Sequence, residues 1–124
     1  MIEVERISKR FGTVQAVDAV SFEARDRRTT GLLGPDGAGE PTGLRILSTV
    51  LQPDSGSARV GGIDLATAPL AARRALGVLP HSSGLYQQLT GRENIEYYGR
   101  LHGLAEAPLA ARVDSLIARL DLGG

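Results

Sequence analysis

The stretch that most constrains this chain is GLLGPDGAGEPTGLRIL, residues 31 to 47. A short apolar run leads into a glycine-rich turn, and a helical pattern from Thr42 to Leu51 follows it. The phosphate-binding loop pattern G-x-x-x-x-G-K-[ST] is met at Gly34 and Gly39. Its next two positions hold Glu40 and Pro41 in place of lysine and a hydroxyl. Glycines in such a loop let successive backbone N–H groups converge on phosphate oxygens, and the helix behind them adds partial positive charge. Gly34, Gly37, Ala38 and Gly39 keep that cradle, with Pro35 and Asp36 between them. On the sequence alone, the same spacing also describes a plain tight turn from strand to helix.

The remaining chain surrounds this loop with α/β material. Residues 2 to 7 alternate apolar and polar, as a half-buried strand does, and Phe11-Gly12 closes them with a turn. A second alternating run spans 17 to 22, with Val20 and Phe22 on one face. Thr30–Leu33 and Leu76–Leu79 read as short buried parallel strands. QPDSGS ends the first helix, and Ala58–Val60 followed by Gly61-Gly62 reads as a strand and tight turn. Pro69–Ala75 is a short helix. Thr90 and Glu93 form a capping box for a helix to about His102, where Gly103 stops it. The last helix is expected from Pro108, with Leu109, Val113, Leu116, Ile117 and Leu120 on one stripe. An antiparallel lobe, about residues 1 to 30 plus 58 to 65, is thus expected on a parallel-sheet core.

Composition narrows the function. Fourteen basic residues balance fourteen acidic ones, which argues against a nucleic-acid partner. There is no cysteine and only two histidines, His81 and His102, so thiolate zinc sites and most metal clusters are excluded. No apolar stretch approaches the roughly 20 residues of a membrane span, and MIEVERISKR is unlike a signal peptide. The reading is a cytosolic chain without direct membrane insertion, and with 42% hydrophobic residues it can bury a core.

The order of Phe11, the glycine loop and LGVLPHSSGLYQQLTGRENIEYYGRLHGL resembles the first half of an ABC transporter ATP-binding subunit. The wording LTGRENIEYYGRLHGL is similar to the sodium- and drug-exporter branch. The resemblance covers Met1 to Gly124 and implies a P-loop NTPase-like α/β fold, here as a half-domain from the Walker A loop through the Q-loop and following helices. The LSGGQ-like signature, the Walker B strand ending in Asp-Glu and the switch histidine do not occur in these residues. The family implies ATP and Mg²⁺, a membrane-spanning transporter subunit, a second ATP-binding subunit, and a peripheral place at the inner face of the cell membrane.

Residue by residue, the nucleotide-binding positions are Phe11, Gly34, Pro35, Asp36, Gly37, Ala38, Gly39, Glu40, Pro41 and Thr42. Phe11 matches the family's adenine-stacking aromatic, or simply closes its turn. His81 stands at the Q-loop glutamine position, where it either keeps a weak hydrogen-bonding role or is an exposed loop histidine. Glu40 exchanges the lysine's +1 for −1, and Pro41 removes both a Mg²⁺ hydroxyl and an amide. Two unit charges about 4 Å apart interact by about 4 kcal/mol in a partly wet site, so tight Mg-ATP binding is not expected. Thr42 matches the second hydroxyl position but lies about 100° further around the helix than the lost one. No catalytic residue and no metal ligand is assigned, and whether the chain is an enzyme is left open. Ile95, Tyr98 and Leu101 are read as core contacts.

Three functions compete. One is a truncated exporter ATP-binding subunit with a degenerate loop and weak or no hydrolysis. A second is a non-catalytic module docking on transporter subunits. The weakest is a small-molecule or nucleoside kinase, for which Glu40 is no better suited. The two parallel strands are further expected not to be neighbours, which leaves unpaired edges and a marginally stable chain.

Overall fold

The computed structural model describes residues 1–34, 40–79 and 84–122, with Glu40 described by its backbone only. It divides into two compact units, Met1–Val78 and Leu79–Gly124.

In the first unit, β1 (Ile2–Phe11) and β2 (Val14–Ala24) form a hairpin, and β3 (Ser55–Val60) pairs antiparallel on the other side of β1. Gly61 and Gly62, both at positive φ, turn β3 into the two-residue β4 (Ile63–Asp64). Two consecutive positive-φ residues make the primed turn that matches strand twist. The sheet order is β2-β1-β3-β4.

Both long strands carry a bulge, and the bulges set which side chains are buried. Val4 and Ile7 are three residues apart, which is out of phase for a regular strand, yet both are buried. Arg6 at φ 45° takes up the extra residue on β1 between the pairs Val4↔Phe22 and Ile7↔Val20, and Ala19 at φ 45° takes up one on β2 between Ile7↔Val20 and Lys9↔Val17. Ser21 Oγ accepts the Arg6 N–H and Ser8 Oγ accepts the Ala19 N–H, so the displaced donors are satisfied.

Helix α1 (Glu40–Leu47) and helix α2 (Pro69–Arg74) complete this unit. Ile46 and Leu47 join Val4, Ile7, Val17 and Ala58 in the core, while Leu44 and Val50 are exposed. The face of α1 turned to the core is thus the one that carries Ile46 and Leu47.

Helix α1 also starts earlier and stops sooner than its sequence pattern suggests. Pro41 falls in the first turn, where its missing N–H has no intrahelical partner to lose. At the other end Thr49 turns left-handed at φ 60°, and the Val50 and Leu51 N–H groups both close on the Arg45 carbonyl.

The two parallel strands do not form. Thr30–Leu33 and Leu76–Leu79 carry no ladder. Leu76 packs against the core, but Leu33 is 97% and Leu79 96% exposed. A strand exists only through a neighbour that exchanges hydrogen bonds with it, and these runs have none among the described residues. The fold class stands as a partial α/β domain whose described sheet is antiparallel.

In the second unit, α3 (Gly91–Leu101) packs on α4 (Glu106–Arg119). The Thr90–Glu93 capping box is present in both directions. Helix α4 begins two residues before Pro108, which therefore sits within its first turn, and Ala105 caps it without a side-chain bond. Leu109 and Val113 are buried, whereas Leu120 is exposed. Leu101 and Tyr98 are exposed as well, against the expectation that they are core contacts.

Candidate nucleotide site

The expected site divides between the tip of the β1–β2 hairpin and the entrance of α1, both within the first unit. Pro35, Asp36, Gly37, Ala38 and Gly39 lie outside the described residues, and so does His81. Gly34 is exposed, Glu40 and Pro41 open α1, and Thr42 is half-buried in its first turn.

The far end of α1 is firmly held. Beyond the buried Ile46 and Leu47, Arg73 of α2 donates from Nε to the Thr49 hydroxyl and from its terminal nitrogen to the Thr49 carbonyl at 3.1 Å. These bonds offset the strain of a β-branched residue in the left-handed region. The near end presents the positive pole of the helix, which suits an anion in general. Pro41, in that first turn, brings no N–H.

ATP and Mg²⁺ are the groups that a loop of this pattern would hold. The sequence puts Glu40 and Pro41 at the two pattern positions of the lysine and the hydroxyl, so those two positions supply neither an ammonium nor a hydroxyl, and Pro41 no amide N–H. Among the described residues no cluster of three or more His, Cys, Asp or Glu side chains could hold a metal.

The hairpin tip is held by side-chain contacts from outside the hairpin. Phe11 ends β1 opposite Val14 and is 48% exposed. Lys9 places its ammonium 5.8 Å from the Phe11 ring centroid. The Lys9 side chain is 16% exposed and is paired with Asp54 at 2.7 Å. Asp54 also accepts the Arg10 N–H at 2.8 Å, and its own N–H donates to the Ser8 carbonyl at 2.9 Å. The Lys9 hydrogen bond, then the Arg10 amide, hold the Asp54 carboxyl below the usual aspartate range.

Lys9 was within reach of sequence reasoning, since a residue two before Phe11 on a strand lies on its face. Asp54 was not, because it stands 45 residues from Lys9.

In the second unit the residue the sequence reading passed over is Asn94. It is buried, accepts the Tyr86 N–H, and donates to the carbonyls of Tyr86, Leu89 and Thr90. Tyr98 donates its hydroxyl to the Gly84 carbonyl, and the Tyr86 and Tyr97 hydroxyls lie 3.3 Å apart. The segment from 84 to 90 is thus fastened along α3. No described helix is long and apolar enough to cross a membrane.

The comparisons with known proteins say what class of domain the antiparallel lobe and the helix behind the glycine-rich sequence belong to. The family described as ABC transporter matches residues 17–124, and the chain belongs to that family. It is 40% identical over 121 residues to a daunorubicin resistance ATP-binding protein of Streptomyces coeruleorubidus, covering 98% of this chain and 38% of that protein. It is 35% identical over 127 residues to the ABC transporter ATP-binding protein NatA of Bacillus subtilis, covering 98% of this chain and 52% of that protein. A solved ATP-binding subunit of an ABC transporter superposes with a TM-score of 0.84 at 26% identity, over 94% of this chain and 49% of its own. The chain therefore spans between about two fifths and one half of the length of these relatives.

Proposed function

We propose that these 124 residues are the N-terminal, nucleotide-facing part of an exporter ATP-binding subunit whose phosphate loop no longer grips Mg-ATP. The single observation that carries the reading is the opening of α1 by Glu40 and Pro41. The family match and the resistance-protein relatives support a drug- or antibiotic-exporter setting. In that setting the partners are a membrane-spanning subunit and a second ATP-binding subunit, and the place is cytoplasmic, peripheral at the inner membrane face.

The site proposed is Phe11 with Gly34 to Thr42, and His81 at the Q-loop position. Domain extent follows the same reading: the Walker A region, the Q-loop and the helices after it, without signature, Walker B or switch histidine. Phosphoryl transfer relies almost wholly on positioning and electrostatic stabilisation, so a cradle without those regions hydrolyses ATP weakly or not at all.

Equilibrium titration with Mg-ATP tests this reading. The native chain should bind weakly, and the Glu40→Lys, Pro41→Thr chain should bind more tightly by several kcal/mol, at least about a hundredfold. Equal affinity of the two chains would remove the loop argument.

A further inference from the structure

Where the far end of α1 meets β3 and the turn between β4 and α2, the first unit holds a hollow of about 230 Å³. Its walls are mostly apolar. Ile46 comes from α1 and Leu51 from just beyond it, Ala58 from β3, and Leu65 and Pro69 from the turn and the start of α2. Ile46, Ala58 and Leu65 belong to the buried core, and Leu51 packs against it, so the hollow opens directly onto core surface. An apolar cavity of about 150 Å³ takes a benzene ring, so this one has room for a ring with a short arm.

Among the described residues, one charged side chain lines the hollow, and it is an acid. Asp64 ends β4 half-buried, and its Oδ1 accepts the N–H groups of Ala66 at 2.8 Å and Thr67 at 3.1 Å. These amides fix where the carboxylate stands. The Thr67 N–H, then the Ala66 N–H, also hold the carboxyl below the usual aspartate range, so it is ionised at neutral pH. Arg59, opposite Asp64 on β3, bears on it electrostatically but forms no ion pair with it among the described residues and does not line the hollow. Arg73 is engaged with the Thr49 hydroxyl and carbonyl. An ionised carboxylate beside apolar walls is complementary to a ligand that brings both an apolar body and a positive charge.

We propose that this hollow binds a small primary amine carrying one aromatic ring, with the ring against Leu51, Ala58 and Leu65 and the ammonium at Asp64. The proposal is independent of how the phosphate loop treats Mg-ATP. An occupant bridges the end of α1, β3 and the turn into α2, so its binding also stabilises the first unit.

The test is titration of the whole 124-residue chain, with labelled methyl groups, by benzylamine, benzyl alcohol and benzoate at neutral pH and one ionic strength. Benzylamine should bind with roughly millimolar affinity and move the methyl signals of Leu51, Ala58 and Leu65 together. Benzyl alcohol should bind about fivefold more weakly and benzoate more weakly still, because only the amine gains the carboxylate. In Asp64→Asn, whose side-chain carbonyl still serves the Ala66 and Thr67 N–H groups, amine and alcohol should bind within about twofold of each other. If circular dichroism shows that chain unfolded, Asp64→Ser keeps an acceptor for the same amides and should show the same loss of preference.

Equal affinity of the native chain for benzylamine and benzyl alcohol would overturn the assignment to amines. No concerted shift of the three methyl signals with any of the three compounds would remove the site. A folded Asp64→Asn or Asp64→Ser chain that keeps the native preference would overturn the role of Asp64.

Discussion

Gly56 is where the antiparallel lobe is least able to accept a side chain. It lies on β3 at φ 84°, and a Cβ built there would stand 2.3 Å from the Arg6 carbonyl oxygen and 2.5 Å from the Glu5 carbonyl oxygen. Carbon and oxygen need about 1 Å more than that, and both obstacles are backbone, so no rotamer change relieves them. Gly56→Ala forces β3 away from β1 at the bulge, loosening Val4↔Ala58 and Glu5↔Ser57 and unseating the buried Ala58 and Val60. The left-handed backbone costs an alanine about 1 kcal/mol or more, and the disturbed packing about 2 kcal/mol. The sum, about 3–4 kcal/mol, is a large share of the roughly 5–15 kcal/mol of a whole domain.

Urea denaturation followed by far-UV circular dichroism is the appropriate assay, because Tyr86, Tyr97 and Tyr98 all belong to the second unit and do not report on the lobe. With a urea slope of about 1 kcal/mol per molar, the midpoint should fall by about 3 M or the lobe should be unfolded in buffer. Gly43→Ala is the control: it lies in α1 with open space around it, and should stabilise by a little under 1 kcal/mol. A Gly56→Ala chain within about 0.5 kcal/mol of native would refute the close-approach argument.

Other outcomes follow from the same geometry. Ala19→Gly and Arg6→Asn relieve positive φ at the two bulges and should each stabilise by about 0.5–1 kcal/mol, read as a raised thermal midpoint. Asn94→Ala strips one acceptor and three donor bonds from the segment at 86 to 90 and should cost about 2–3 kcal/mol, with faster exchange of the Tyr86 amide. Asp54, held below the usual aspartate range by Lys9 and Arg10, contributes stability that is present above the unfolded aspartate pKa and lost as pH falls through the folded value. The urea midpoint of native protein should therefore decline more between about pH 6 and pH 3 than that of Asp54→Asn, and parallel curves would contradict the clamp.

What the sequence made legible was local. The capping box at Thr90 and Glu93, the stop at Gly103 and the turn after Phe11 each depend on residues a few positions apart, and each is present. Alternation in residues 2 to 7 announced β1 but hid its bulge, since only the pairing of Val4 with Phe22 and Ile7 with Val20 shows why both side chains face inward. The apolar runs at 30–33 and 76–79 looked like strands because composition reports burial tendency, whereas a strand also needs a neighbour. The helical pattern shows only from Thr42, whereas α1 begins at Glu40 with Pro41 in its first turn, where a proline breaks nothing.

Of the site, Phe11 was visible as a turn aromatic. The Lys9–Asp54 pair beside it was not, because Asp54 joins Lys9 only when β3 folds back onto β1. Asn94 was overlooked beside the more conspicuous Glu93, since a buried amide reveals its role only through the carbonyls it meets.

The chain belongs to the ABC transporter family, and under the proposed function these 124 residues do not turn over Mg-ATP. Phosphate release from Mg-ATP, measured side by side on the native chain and the Glu40→Lys, Pro41→Thr chain, tests that proposal. Both chains should release phosphate at the background rate, even where the reverted chain binds Mg-ATP measurably better. Turnover by the reverted chain alone would show that the 124 residues suffice once the loop is repaired, and turnover by the native chain would contradict the loop argument as well.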